Sequence, residues 1–276
     1  MFKKKLQAFK SVGRRKKDAL IISRVSDLIE AGFNTEYLME EFVRINKEVW
    51  SGITQDNYIW TKEMVSSHFK TCPYALFCAF ENNKLVATLT TICLFEEDMV
   101  TKKSWLDKTG NGFLTTHTPH GTIGFGVDLS VQKNASGKVS DNIVLAALFI
   151  GLLGEGLKAV YVGSRIPSYH KHKDIEVEKY VYGLRKSGKP LDPELYFYLK
   201  NGFEIVEIIP DYMDDPASLN YGVLIKWENP LYRITRTLPV IKWIIKRIGE
   251  KIFLKLPILP ESENCDTESI TLPSGP

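Results

Sequence analysis

Cysteine is scarce in this sequence of 276 residues, which has only four, at positions 72, 78, 93 and 265, and no Cys-x-x-Cys pair. This spacing gives no support for a zinc site or for a thiol redox motif. Three of the four lie in apolar stretches, which is typical of reduced thiols inside a cytoplasmic protein. We therefore expect free cysteines rather than a disulfide framework.

Long apolar runs are also missing. The longest uncharged apolar segment, Asn142–Gly154, is far shorter than the roughly 20 residues that cross a bilayer. The first residues, MFKKKLQAFKSVGRRKK, lack the apolar stretch of a secretory signal. We therefore expect a cytoplasmic protein without a spanning segment. Hydrophobic residues make up 44% of the chain, which is enough for one sizeable core.

Charge is distributed unevenly, because the first 17 residues contain no acid and the last 20 contain no base. Residues 1–17 carry +8, residues 231–256 carry +6 and residues 257–276 carry −4, so the overall +3 leaves −7 for residues 18–230. Two basic segments thus flank a mildly acidic body. Attraction to anions through net charge is expected at these segments.

The basic segment 231–256 has the pattern of an amphipathic helix. Five isoleucines share one helical face, and Lys242, Lys246 and Glu250 lie off it. The isoleucines are Ile241, Ile244, Ile245, Ile248 and Ile252. With Trp243 and the basic margins, this pattern suits the headgroup region of an anionic membrane, which predicts peripheral association. The alternative is a helix whose isoleucines pack on the sheet of the domain itself.

The two ends of the chain give weaker indications. The basic arm 1–18 also fits anionic lipid. Its only aromatic residues are Phe2 and Phe9, so recognition of nucleic acid by base stacking is not expected. The segment 257–276 is polar and contains prolines, which predicts a disordered tail.

Between residues 19 and 230, the hydrophobic period alternates between that of strands and that of helices. The predicted order is strand, two helices, three strands, helix, strand, helix and two strands. The helices are expected around Thr35–Val49, Trp60–Phe69, Ser140–Leu157 and in LDPELYFYLKNGF, where Asp192 is a good N-cap. This order predicts a single α/β (α+β) domain, with one mixed sheet flanked by helices.

The segment DLSVQKNASGKVSDNIVLAAL, residues 128–148, reads as a strand, a polar loop and the start of a helix. Such a junction can bind phosphate, because the first N–H groups of a helix are unpaired and its dipole is positive there. The loop supplies Ser136, Lys138 and Ser140 for this purpose. The alternative is a polar turn that binds nothing.

Several stretches resemble the GCN5-related N-acetyltransferase (GNAT) fold. More narrowly, THTPHGTIGFGVDLSV, VGSRIPSYH, DPELYFYLKNGF and SLNYGVLIKWENP are similar to the acetyltransferase-like domain that some bacterial proteins carry ahead of a carbon–nitrogen hydrolase domain. The resemblance extends from about Ala19 to Pro230. It implies a mostly antiparallel sheet and an N-acetyltransferase that moves an acyl group, such as acetyl, from acyl-coenzyme A to a primary amine.

The resemblance also implies where the coenzyme binds. The strands are expected to separate at the fourth strand, so that its backbone pairs with the pantetheine arm, while the following loop holds the pyrophosphate. The residues implied are Leu129, Ser130 and Val131 of the strand, and Ser136, Gly137, Lys138, Val139 and Ser140 of the loop.

This loop departs from the family pattern Gln/Arg-x-x-Gly-x-Gly/Ala. Ala135 stands where the pattern has Gln or Arg, and Lys138 and Ser140 replace its two small residues. A non-glycine residue forced to positive φ costs on the order of 1 kcal/mol or more. We therefore expect weaker binding of the coenzyme, offset by the charge of Lys138 and the hydroxyls of Ser136 and Ser140.

The transfer needs an acid for the departing thiolate and a base for the amine. The resemblance implies that Tyr198, four residues before Gly202, is the acid, since a phenol has a pKa near that of a thiol. The alternative is that Tyr198 only packs. Asp128 is the first candidate for the base, and the histidines 117 and 120 are the second. No cysteine or acidic partner accompanies these histidines, so no metal site is expected.

Two functions therefore remain open at the level of sequence. The first is an acyl-coenzyme A-dependent N-acyltransferase. The second is a catalytically weak or inactive GNAT-like module that binds a membrane surface or a partner. The discriminating feature is the loop of residues 135–140.

Overall fold

The structure is a computed structural model that describes residues 20–101 and 104–257. The basic arm 1–18 lies outside the described residues, as does the expected tail 257–276 apart from Pro257. Seven strands form one sheet between two layers of helices. Their bounds are β1 Ile21–Arg24, β2 Leu76–Glu81, β3 Lys84–Leu94, β4 Ile123–Val131, β5 Ala159–Arg165, β6 Glu204–Ile209 and β7 Gly222–Glu228.

The sheet has the order β1-β2-β3-β4-β5-β7-β6. Among these strands, β4 and β5 are the only parallel neighbours, and the other adjacent pairs are antiparallel. The β2–β3 hairpin turns at Asn82 and Asn83, whose positive φ angles suit a tight turn. The expected class, a mixed and mostly antiparallel sheet flanked by helices, is confirmed.

Helices cover both faces of this sheet, and their starts follow from local sequence. Asn34, Thr61 and Asp192 each accept a backbone N–H from the first turn of the helix that follows, which confirms the predicted cap at Asp192. The bounds are α1 Val25–Glu30, α2 Thr35–Trp50, α3 Lys62–Thr71, α4 Asp98–Thr101, α5 Trp105–Thr109, α6 Val139–Ala147, α7 Val177–Val181, α8 Pro193–Lys200, α9 Tyr232–Thr237 and α10 Pro239–Phe253.

Two apolar cores lie on opposite faces of the sheet. The first core packs α1, α2 and α3 against the sheet and includes Phe42 and Phe125. The second core packs α6 and α8 against the other face and includes Ile143, Leu195 and Trp227. Side chains of a strand alternate between these two cores, which is why neighbouring residues of β4 serve different parts of the site.

Strand β4 contains the irregularity that opens the sheet. Its pairing with β3 shifts register at Val127, so that Val127 is the extra residue of a β-bulge. Its pairing with β5 covers only Gly124–Gly126 against Val160–Val162. Beyond that point β4 continues to Val131 and β5 continues to Arg165. The two strands therefore separate directly after the bulge.

The helix expected over residues 140–157 is divided in two. Helix α6 ends at Ala147, and a π-helix follows over Leu148–Leu153. A π-helix is wider than an α-helix, is rare, and frequently lies beside a functional site. Here it covers the face of the sheet where β4 and β5 begin to separate.

The C-terminal segment forms helices α9 and α10, and α10 begins at Pro239, within the segment 231–256 predicted to be helical. Helix α10 packs on the domain through Gly249 and Phe253, and a Cβ at Gly249 would come within 2.5 Å of the Phe149 ring. The helix therefore docks on the domain, as the alternative expected, with Ile241 and Ile245 half-buried and Ile245 packed against the second core, whereas Ile244, Ile248 and Ile252 are exposed. Because Gly249 has no side chain, α10 can approach the Phe149 ring this closely.

Among the described residues, no helix is long and apolar enough to cross a membrane. The cysteines described by the structure, Cys72, Cys78 and Cys93, are free thiols, as expected. Burial raises the pKa of the Cys72 thiol to about 12 and that of Cys93 to about 11. These thiols are therefore protonated at neutral pH and are poor nucleophiles.

Candidate active site

A cavity of about 380 Å³ passes through the gap between β4 and β5. Its walls are mainly apolar, and its size is within the range of small-molecule sites. Three of the predicted site residues of the strand and loop line it, namely Leu129, Val131 and Ser140. The two catalytic candidates Asp128 and Tyr198 line it as well. The structure thus brings together side chains from β4, α6 and α8.

Asp128 lies at the bulge of β4, and three side chains donate hydrogen bonds to its carboxyl group. Trp50 Nε1 is 2.7 Å from Oδ1, Ser130 Oγ is 2.9 Å from Oδ2, and Asn46 Nδ2 is 3.5 Å from Oδ1. Burial raises the pKa of Asp128 to about 7, although these three donors oppose the shift. A carboxyl group that titrates near neutral pH can accept a proton from an amine and release it again.

Tyr198 projects into the same cavity from α8. Its ring packs edge-on against Phe197 and Phe203, with centroids 5.1 and 5.4 Å apart. Burial raises the pKa of its phenol, and the nearby carboxyl groups of Glu194 and Asp128 raise it further. The phenol therefore keeps its proton at neutral pH. It can donate a hydrogen bond to a negative charge that develops in the gap.

A further charged group, Arg165, was not foreseen from the sequence. Arg165, at the end of β5, binds Asp215 with two hydrogen bonds of 2.7 and 2.9 Å, and its guanidinium lies 5.3 Å from the Trp50 ring centroid. Its Nη1 is 4.0 Å from Glu194 Oε2. Burial raises the pKa of Glu194 to about 7, with Arg165 opposing the shift. Two carboxyl groups with raised pKa values, Asp128 and Glu194, thus line one cavity.

Aromatic rings wall the cavity on the face covered by α2. They include Trp50, Tyr58, Trp105 and Tyr212, and Trp105 Nε1 donates to the bulge carbonyl of Val127 over 2.9 Å. Tyr212 crosses β5 so closely that a Cβ at residue 163 would meet its hydroxyl at 2.0 Å, which explains the glycine there. This wall leaves an apolar chamber beside Asp128.

The sequence contained partial signals for these additional residues. Arg165 and Glu194 both lie in stretches that carry the family resemblance, VGSRIPSYH and DPELYFYLKNGF. Trp50 follows directly after the helix predicted to end at Val49, and the structure extends that helix by one residue. Their convergence depends on three different elements. No local pattern could have shown it.

The loop of residues 135–140 differs from the expectation in its backbone. None of these residues has a positive φ, so Lys138 and Ser140 do not carry the strain predicted for non-glycine residues there. The Ser136 N–H donates to the Glu81 carboxylate at 3.1 Å. An acidic side chain therefore already uses one N–H group that an anion would need. Lys138 is exposed at the N-cap of α6.

The other predicted loop and strand residues have distinct positions. Val139 is buried in the second core, and Gly137 is exposed. Ser130 points to the first core, where it bonds Asp128 and Trp50. Its side chain therefore serves the catalytic candidate, while its backbone belongs to the stretch of β4 beyond the β5 ladder.

The structure does not bring His120 to the cavity, because this residue is exposed in the loop before β4. His117 is half-buried and bonds the Tyr74 hydroxyl through Nε2 at 2.7 Å and the Cys93 N–H through Nδ1 at 3.0 Å. Burial lowers its pKa. Within residues 20–101 and 104–257, no three His, Cys, Asp or Glu side chains are grouped to hold a metal ion.

No protein-family model matches this chain. Two curated proteins of Bacillus subtilis (strain 168) are similar to it. One is named "Uncharacterized N-acetyltransferase YkwB" and is 28% identical over 200 residues, which are 72% of this chain and 88% of that protein. The other is named "Probable hydrolase YhcX" and is 27% identical over 197 residues, which are 70% of this chain and 37% of that longer protein.

Among solved structures, the GphF GNAT-like decarboxylase in complex with isobutyryl-CoA is similar in fold, with a TM-score of 0.59 and 18% identity. The match covers 71% of this chain and 96% of that chain. The separation of β4 from β5 is the feature that the resemblance in the sequence implied for the fourth strand. The chain has the GNAT fold, as the resemblance in its sequence indicated.

Proposed function

We propose that the protein is an acyl-coenzyme A-dependent N-acyltransferase that acts on a primary amine. The observation that carries this proposal is the pair Asp128 and Tyr198, which line one cavity where β4 leaves β5. The names of the similar proteins support it, since one is called an N-acetyltransferase and one structure holds an acyl-CoA.

In this proposal each side of the gap has its own role. The backbone of residues 129–131, which has left the β5 ladder, pairs with the pantetheine arm, and the start of α6 holds the pyrophosphate. The amine enters from the aromatic chamber on the α2 face. Asp128 accepts a proton from the amine, whose nitrogen then attacks the thioester carbonyl. Tyr198 donates its proton as the carbon–sulfur bond breaks.

Binding of acetyl-CoA is the direct test of this assignment. We expect Lys138→Glu to weaken binding at least fivefold and Glu81→Gln to strengthen it about twofold to fivefold, since one charge near a helix start is worth about 0.3–1 kcal/mol. Lys138 and Glu81 both lie at the loop of residues 135–140. If the two substitutions change the affinity in opposite directions, a more positive loop binds acetyl-CoA more tightly. Titration calorimetry of the full chain at low salt measures both.

Absence of binding by wild-type protein, for acetyl-CoA and for longer acyl-CoA alike, would overturn the enzyme proposal. Equal affinities in both variants would show instead that the pyrophosphate lies elsewhere. Lys70→Glu is the matched control, because Lys70 is an exposed lysine on α3 and does not line the cavity.

We further propose that α10 holds the domain on an anionic membrane surface. The face of α10 that points away from the domain exposes apolar side chains: Val240 at 68%, Trp243 at 59%, Ile244 at 42%, Ile248 at 46% and Ile252 at 45%. The segment 231–256 carries +6, which disfavours contact with a second copy and favours an anionic surface.

Vesicle sedimentation tests this surface with point variants, because Phe253 belongs to the core and truncation would remove it. We expect the full chain to sediment with vesicles that contain phosphatidylserine and not with neutral phosphatidylcholine vesicles. Ile248→Gln combined with Ile244→Gln should reduce the bound fraction at least fivefold, since each buried methylene contributes about 0.8 kcal/mol. Leu184→Gln, at a residue 63% exposed elsewhere, is the control. Equal sedimentation of all variants would contradict the assignment.

A further inference from the structure

The cavity does not end at the gap where the thioester is expected. It continues on the α6 face, between the sheet and the π-helix. We call this part the apolar arm and define it by Gly124, Val144, Leu148, Gly151, Leu157 and Val160, all of which line the cavity. Val144, Leu148, Leu157 and Val160 belong to, or pack on, the second core. The arm is therefore on the opposite face from the aromatic chamber.

Backbone geometry gives this arm its width. The π-helix forms its roof, and Gly151 lies in the middle of that π-helix. A Cβ placed on Gly151 would meet nothing within 4 Å, so the residue borders open space. Gly124 contributes no side chain from the floor. An α-helix with a large residue at position 151 would occupy this space, whereas the observed segment leaves it free.

The direction of the arm separates it from the path of the coenzyme. The pantetheine path follows β4 from the gap towards Val131 and the start of α6. The apolar arm runs the other way, from the last β4–β5 pair at Gly126 and Val162 back towards Gly124 and Val160. The amine has its own chamber beside Asp128. The remaining group of the reaction that meets the arm is the acyl chain on the thioester carbon.

We infer that the apolar arm binds the acyl chain, so that the preferred donor carries a straight-chain acyl group longer than acetyl, of butyryl to octanoyl length. This inference rests on the proposed acyl-CoA function and specifies its donor. The upper length follows from the polar groups Arg24, Tyr74 and Glu155, which line the cavity beyond the arm. A longer chain would bring methylene groups against these polar side chains.

Affinity as a function of chain length tests the inference. We expect the dissociation constants of acetyl-, butyryl-, hexanoyl- and octanoyl-CoA with the full chain to decrease along the series. Each fully buried methylene corresponds to about fourfold, the equivalent of ~0.8 kcal/mol. Partial burial of four added carbons should therefore give at least a tenfold difference between acetyl-CoA and hexanoyl-CoA in titration calorimetry.

The Gly151→Leu variant tests whether the acyl chain lies in the apolar arm. Its side chain would enter the open space, so the ratio of acetyl-CoA to hexanoyl-CoA dissociation constants should fall to within about twofold of one. Gly151→Ala should give an intermediate ratio, and thermal unfolding checks that both variants fold. Gly137→Leu is the matched control, because a Cβ there also meets nothing within 4 Å but lies in the phosphate loop. It should change all affinities together and leave the ratio unchanged.

The outcomes separate this inference from the function on which it rests. If acetyl-CoA binds and lengthening the chain leaves the affinity unchanged or weaker, the acyl arm is wrong and the transferase proposal stands. If the gain persists in Gly151→Leu, the chain lies elsewhere and the inference is also overturned. If neither coenzyme A nor any acyl-CoA binds, the proposed function itself fails.

Discussion

Replacement of Asp128 by asparagine is expected to lower kcat/KM for acyl transfer at least a hundredfold, which is the usual scale for a general base. The amide retains the size of the carboxyl group, and its oxygen can still accept the hydrogen bond from Trp50 Nε1. It has no basic site for the proton of the amine. A coupled assay for released thiol, with saturating acyl-CoA and a panel of primary amines, measures this loss.

The same variant is expected to be more stable than the wild type above pH 7. The pKa of Asp128 is about 7 in the folded state, and that of an aspartate in an unfolded chain is about 3.9, so between these values the folded state retains a proton that the unfolded chain has lost. The free energy of unfolding therefore decreases as pH rises from about 4 to 7, and the cost persists at higher pH. Asparagine removes this cost, which is on the order of several kcal/mol at about 1.4 kcal/mol per pKa unit.

This combination of lost activity and gained stability distinguishes a catalytic group from a structural one. The profile of kcat/KM against pH should rise with a midpoint near 7 in the wild type. Ser130→Ala removes a donor that stabilises the carboxylate, so its midpoint should move to higher pH. A profile that remains flat from pH 6 to 8, together with an active Asp128→Asn variant, would exclude Asp128 as the base.

Replacement of Tyr198 by phenylalanine is expected to lower kcat between tenfold and a hundredfold while leaving the affinity for coenzyme A nearly unchanged. The hydroxyl acts on the departing thiolate and not in the binding of the ground state, so the loss belongs in kcat. The ring contacts with Phe197 and Phe203 are kept by phenylalanine. Steady-state kinetics with calorimetric affinities give both quantities.

Tyr196→Phe is the control for this experiment, because Tyr196 lies on the same helix but does not line the cavity. It should have wild-type kcat. Unaltered turnover in Tyr198→Phe would contradict this prediction and leave the Tyr198 ring with a packing role only. If the hydroxyl is the acid, an acyl donor whose leaving thiol has a lower pKa should restore part of the rate that Tyr198→Phe loses.

Much of the fold followed from the sequence alone, because its elements are set by local rules. The hairpin of β2 and β3 follows from two alternating runs joined by a pair of asparagines, and α8 follows from Asp192 and Pro193 at its start. These signals depend on residues a few positions apart. The resemblance then supplied the mostly antiparallel pairing of the sheet, which local periods cannot give.

Part of the candidate site was also within reach of the sequence. Asp128, Leu129, Val131 and Ser140, which were picked out at the strand–loop–helix junction, line the cavity, and their roles in binding and catalysis stay predictions. The strain expected in the loop was wrong, since residues 135–140 all adopt negative φ. The glycines of the family pattern predict positive φ angles, but this loop forms its turn without them.

Other features were decided by tertiary structure only. Trp50 and Asp128 are separated by 78 positions, and it is the packing of α2 on β4 that brings the indole N–H to the carboxylate. Helical periodicity showed that α10 has an apolar face. It could not show that Gly249 would dock on Phe149 and Ile245 on the second core, while Ile244, Ile248 and Ile252 stay exposed. The sequence by itself determined which residues share a strand or a helical face, because those periods are properties of the backbone. Which of those faces meet, and which of them enclose the cavity, depended on contacts between distant segments, which no local period encodes.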